Sequence, residues 1–198
     1  MVNEHSVVLT QDPLHSFLSA GFGQMLVDVC RAQGGQAVVP RAVLKQMTVA
    51  AEADPALAPC DPILTAMVSV KDLVILDVDL EDEMFAAAYG RIADLAPARY
   101  RNGVVDVSPA IALAHTLTSS FRDEDARLLT DDWRHQEHAG TLNLDVLRTP
   151  DILLAGAHHG MIANPGKARA MYERLQDYNL QLVPWNSRGP LNDPQQYR

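Results

Sequence analysis

The residues best suited to chemistry in this 198-residue chain are carboxylates that follow short apolar runs. Asp12 comes just after Val7-Val8-Leu9-Thr10, and Asp131 and Asp132 come just after Arg127-Leu128-Leu129-Thr130. Asp106 stands two residues before Ser108-Pro109, a pair that reads as a helix N-cap and a first-turn proline. Hard divalent cations such as Mg²⁺ or Mn²⁺ prefer such oxygen ligands. Two of them about 4 Å apart activate water and stabilise the leaving oxygen in phosphodiester cleavage. The same residues have a plainer use, because an Asp at a strand–helix junction caps the helix or closes the turn. Spacing alone leaves both uses open.

The remaining candidates are weaker. His135 and His138 are three apart on an expected helix, and His158 and His159 are adjacent, but no third ligand with zinc-like spacing joins either pair. His115 lies on the helix after Asp106 and is a candidate general base, with a packed helical histidine as the ordinary reading. Ser16 and Ser19 lack an evident His–Asp relay and a Gly-x-Ser-x-Gly elbow. Neither a P-loop nor a Gly-x-Gly-x-x-Gly turn is present, which argues against a nucleotide cofactor. Cys30 and Cys60 are isolated from other metal-ligating residues, as buried free thiols in a reducing cytoplasm would be.

The elements that must position the acids alternate in type. Strands are expected at 7–10, 37–39, 73–78 and 127–130, with a last short strand or extended segment at 181–183. Helices are expected over 14–33 (interrupted near Gly21 and Gly23), from Pro40 to 53, 62–70, 80–95, 108–117, 142–158 and 165–178, with another starting at Asp131-Asp132. Strands alternating with helices predict a three-layer α/β/α sandwich around a mostly parallel sheet. Ligands in such a sheet collect at the carboxyl ends of the strands, where Asp12, Asp131 and Asp132 fall. One domain is expected over residues 1–183. The Pro-rich segment 184–198 reads as a tail, irregular or held by a partner.

Four segments, in order, resemble the PIN-domain superfamily, in particular its branch of toxin–antitoxin toxins. VVLTQDPLHSFLSAG is similar to the family's opening strand, acidic turn and helix. AVVPRAVLKQM resembles its strand and Val-Pro-x-x-Val-x-x-Glu-Leu helix. VDVSPAIALAHTL resembles its Gly-Glu-x-x-Ala-Ile-x-Leu-Ala helix, and ARLLTDDWRHQEHAGTL resembles its Leu-Leu-x-Asp-Asp motif. The resemblance implies RNA cleavage with three or four clustered acids and Mg²⁺ or Mn²⁺, a dimer or other homo-oligomer, and an antitoxin or other protein partner. It would make Asp12, Asp106, Asp131 and Asp132 the catalytic set, with metal on Asp106, Asp131 and Asp132.

Departures from the pattern stand beside it. The family's first acid falls on Thr10, its second-motif Glu on Gln46, and its third-motif Glu on Val107, next to Asp106. Losing a carboxylate removes a ligand and a negative charge together. Two expectations follow: a divergent metal-dependent ribonuclease, or a PIN-like module that has lost catalysis and acts by binding a nucleic acid or a protein. Net charge bears on both. Sixteen Lys and Arg against 25 Asp and Glu leave −9, which disfavours sequence-independent coating of nucleic acid. Arg91, Arg99 and Arg101 flank the loop before Asp106 and are the local group able to guide a phosphate toward the acids. No apolar run approaches membrane-span length, and no signal-peptide pattern opens the chain, so a cytoplasmic protein is expected.

Overall fold

A computed structural model describes residues 5–53, 60–76, 83–95, 109–119, 126–185 and 189–197. Asp106, Val107, Ser108, Arg99 and Arg101 lie outside the described residues.

Five strands form one sheet: β1 (His5–Leu9), β2 (Gly35–Pro40), β3 (Leu73–Leu76), β4 (Arg127–Leu129) and β5 (Asp145–Leu147). Their order is β3-β2-β1-β4-β5, and every pairing is parallel. Val7, Val8 and Leu9 in the central strand are all buried, because helices cover both faces of a parallel sheet. This leaves continuous apolar runs rather than alternation, the feature that makes β1 and β4 legible as strands. Gly35 starts β2 where a Cβ would come within 2.9 Å of the His5 carbonyl oxygen, so β2 begins beside β1 only with glycine there.

The helices are α1 (Gln11–Ser19), α2 (Gly23–Ala32), α3 (Arg41–Ala53), α4 (Cys60–Ser69), α5 (Glu83–Leu95), α6 (Pro109–Ser119), α7 (Trp133–Thr141), α8 (Thr149–His158) and α9 (Pro165–Gln176). The chain steps outward from β1 to β2 to β3, then crosses back to β4 and steps outward again to β5. Right-handed crossovers put the helices of these two runs on opposite faces. Accordingly α6 lies across β1, β2 and β4 with α5 against it, and His138 of α7 bonds the Ile92 carbonyl of α5 at 2.9 Å. On the other face α2 packs on α8, α8 on α9, and α9 on α1. The result is the α/β/α sandwich expected from the sequence.

Three boundaries differ from expectation. Helix α1 starts at Gln11, directly after Thr10, and takes Pro13 into its first turn, where a missing N–H is harmless. Residues 142–158 are not one helix. Leu142 and Leu144 are buried while Asn143 and Asp145 are exposed, an alternation that leads into β5, and Thr149-Pro150 opens α8 afresh. Residues 181–183 make no strand: the Leu182 and Val183 carbonyls accept from the side chains of Gln176 and Tyr172 instead of from a ladder. Beyond them, two 3-10 turns (Pro190–Asn192 and Pro194–Tyr197) fold back onto α8 and α9, burying Leu191.

Candidate functional site: the cleft between β1 and β4

The strand order fixes where a cleft must open. Connections leaving β1 and β4 go to opposite faces, so a crevice forms between the carboxyl ends of these neighbouring strands. Thr10 and Asp12 follow β1, and Thr130, Asp131 and Asp132 follow β4. The fold therefore brings together acids separated by about 120 positions in sequence, counted from Asp12 to Asp132. Asp12 lies within electrostatic reach of both Asp131 and Asp132.

The three carboxylates differ in what surrounds them. Asp131 is buried, and its oxygens accept from the Thr149 backbone N–H (2.9 Å), the Thr149 hydroxyl (2.7 Å) and the Asn179 amide (2.8 Å). It ties the end of β4 to the first turn of α8 and to the segment after α9. Burial still raises its pKa, outweighing these three donors.

Asp132 caps α7, accepting from the Arg134 backbone N–H at 2.8 Å. The Arg134 guanidinium then grips the same carboxylate: Nε lies 3.0 Å from each oxygen, and Nη2 lies 2.5 Å from Oδ2. These bonds hold the Asp132 pKa below the usual value although burial pushes the other way. Asp12 is half-buried in the first turn of α1 and accepts no hydrogen bond from a described residue. Desolvation raises its pKa, with the charge of Asp132 adding to the rise and nearby His135, His15 and Arg134 opposing it.

Histidines complete the cleft. The Thr130 hydroxyl oxygen accepts from the Asp132 N–H (3.3 Å) and shares a hydrogen bond with His135 Nδ1 (3.3 Å). Burial lowers the His135 pKa, against the pull of the neighbouring Asp132 and Asp12 charges. His15 Nε2 meets the Ser19 hydroxyl at 3.0 Å, and Ser19 also meets the buried Cys60 thiol at 3.0 Å. Two aromatic residues near these groups, in the chain or in contact, keep exposed surface. Trp133, 53 % exposed, stands between Asp132 and Arg134 in sequence, and Tyr178, 38 % exposed, meets His15 edge-on with centroids 6.3 Å apart.

Of the three expected metal ligands the described residues include Asp131 and Asp132, and both are engaged by protein donors. Among the described residues no cluster of three or more His, Cys, Asp or Glu is arranged to hold a metal ion. Asp131 has its oxygens on protein donors, and Asp132 has an arginine where a cation would go. Thr10 spends its hydroxyl on the Leu129 carbonyl (3.0 Å), tying β1 to β4. Gln46 is exposed on α3. Burial, and then the charge of Arg91, lower the pKa of His115. Asp12 feels the charges of His15, Asp132, Arg134 and His135, and Asp131 feels the charge of Asp12.

Sequence reading passed over Arg134, Thr149 and Asn179, and weighed His135 only as a partner of His138 in a metal site. Arg134 carried a usable signal, being two residues past an N-cap carboxylate. Asn179 carried none, since it reaches Asp131 across 48 positions. Comparison with protein-family models finds no match, and neither do comparisons with curated proteins and with solved structures.

Proposed function

We propose that this chain is a divergent PIN-like domain that binds single-stranded RNA at the β1/β4 cleft, and that an internal arginine stands in for the metal chemistry its resemblance implies. The bidentate Arg134–Asp132 pair carries this reading. A planar guanidinium satisfies both carboxylate oxygens at once, so a divalent cation would have to displace a charge-assisted pair before it could bind. Thr10 and Gln46, at positions where the family has acids, support the same conclusion.

Trp133 and Tyr178 favour RNA over a protein scaffold as the partner. Exposed aromatic rings beside a cleft offer faces on which unpaired bases stack, and stacking tolerates any sequence. It also suits an acidic protein, since a base is neutral where a phosphate is repelled.

Fluorescence anisotropy with a labelled single-stranded oligoribonucleotide tests the binding. Saturable binding that drops about tenfold in Trp133→Ala is expected from the worth of one stacked base. No binding at low salt would remove the reading. The metal-dependent ribonuclease remains a second reading because Asp12 lies beside Asp132 with no described hydrogen-bond donor on it. Cleavage in Mn²⁺ that disappears in Asp12→Asn and in Asp132→Asn would establish that reading instead.

A further inference from the structure

Beside the cleft, a cavity of about 200 Å³ opens between α8, α9 and the returning C-terminal segment. Leu154, Tyr172, Trp185 and Leu191 give it apolar and aromatic walls, and Arg148 and Asp151 contribute its charged groups. We propose that this cavity is a binding site for a nucleobase, held against Trp185 and Tyr172 and read along one edge by Arg148 and Asp151.

The walls are built rather than incidental. Tyr172 and Trp185 pack edge to face with centroids 5.3 Å apart, and the Tyr172 hydroxyl donates to the Val183 carbonyl at 2.8 Å. The tyrosine is thus fixed by its own hydrogen bond. A cavity of about 150 Å³ takes benzene. This one, larger and open to solvent, suits a heteroaromatic ring system with one edge toward the polar pair.

That pair has capacity to spare. Arg148 Nε is 3.5 Å from Asp151 Oδ2, a loose contact, and the Arg148 backbone N–H donates to the same oxygen at 2.8 Å. Among the described residues neither Asp151 Oδ1 nor the Arg148 Nη groups have a partner, and neither does the Trp185 indole N–H. The site therefore offers donors beside an acceptor, with charges that cancel. A net anion gains little there, and a hydrocarbon leaves the charged pair unused. A neutral planar ring carrying both N–H and C=O groups satisfies all of it.

Guanine fits best among the bases. Its adjacent N–H groups suit a carboxylate, and its O6, on the same edge, suits a guanidinium. An unpaired base of an RNA strand and a free nucleoside present the same edge. The cavity also adjoins the cleft, because Thr149, one residue from Arg148, is the residue bonded to Asp131.

This inference stands apart from RNA binding at the β1/β4 cleft. Isothermal titration of the full chain with guanosine, adenosine, cytidine and uridine tests it. Guanosine is expected to bind saturably and most tightly. Arg148→Met and Asp151→Asn should each weaken it about tenfold, the loss of one good edge contact. Val183→Trp, which adds bulk to the cavity from a largely exposed position, should abolish binding while the circular dichroism spectrum and Tm stay near wild type.

A single-stranded oligoribonucleotide with one guanosine, and the same oligomer with uridine in its place, separate the sources. Competition by the first alone identifies an RNA base as a ligand, and no competition identifies a free nucleoside. Absence of nucleoside binding, or binding indifferent to all three variants, overturns the inference. No nucleoside binding to wild type, with RNA binding that falls in Trp133→Ala, leaves the cleft reading intact while the cavity fails. Nucleoside binding without any RNA binding does the reverse.

Discussion

The two ends of the β1/β4 cleft hold carboxylates of the same type in opposite circumstances. At the β4 end, Asp131 and Asp132 are buried and supplied with donors: Thr149 and Asn179 for the first, Arg134 for the second. At the β1 end, Asp12 is half-buried and has no donor among the described residues. A buried carboxylate with donors joins elements of the fold. One without them has no donor to offset its desolvation, which costs stability and leaves its oxygens available for proton transfer or ligand binding. The acidic motif is therefore structural on one side of the cleft and uncommitted on the other.

The strongest test of this contrast is Asp131→Ala. It leaves the Thr149 N–H, the Thr149 hydroxyl and the Asn179 amide without an acceptor in a buried place. A loss of about 3 kcal/mol is expected from stranding such groups, seen as a fall in Tm of roughly 2–4 °C per kcal/mol in a chain of this size. Urea unfolding with an unchanged midpoint would break the comparison.

Asp132→Ala ranks next. Removing the cap on α7 should cost about 1 kcal/mol, and the variant takes the carboxylate away from the Arg134 guanidinium. Tighter RNA binding alongside lower stability is the expected pair of results from anisotropy and thermal melts. The pH dependence of this residue has a definite sign. Its folded pKa is lowered, so its contribution is present above the unfolded value of 3.8 and is lost as pH falls through the lower folded value.

Asp12→Asn should do the opposite of Asp131→Ala and leave stability at pH 7 unchanged or raised. Because the folded pKa of Asp12 is raised, its charge opposes folding at neutral pH, and lowering the pH through that raised value relieves the penalty. Melting curves from pH 7 downward should show wild type gaining on Asp12→Asn as the carboxyl protonates. A variant clearly less stable than wild type at pH 7 would show that Asp12 is held by donors after all.

The smallest effect belongs to the surface. Glu173→Ala breaks the exposed Arg169–Glu173 pair on α9, which lies at 2.7 Å. It should cost less than about 0.5 kcal/mol, as exposed helix pairs do. That sets the scale against which the buried Asp131 is judged.

Legibility in the sequence followed burial. β1 and β4 were readable because strands covered on both faces are short runs of Val, Ile and Leu. β5 was missed because Asp145-Val146-Leu147 is brief and lies between two helical patterns, and only the switch from helical spacing to alternation at Leu142 marks it. The three described acids of the candidate site were readable from their positions after strands. What each carboxylate does was not, since Arg134 is near Asp132 in sequence but Asn179 is far from Asp131.

By itself the sequence determined the layer architecture, because apolar periodicity dictates which faces must be covered, and it determined that acids would gather at one edge of the sheet. It also determined the absence of acids at Thr10 and Gln46. Tertiary structure alone decided how the remaining acids are used. A carboxylate's charge state and ligand capacity depend on burial and on donors brought from distant segments. Neither quantity exists until the chain has crossed from β3 back to β4 and packed α8 and α9 beside the cleft.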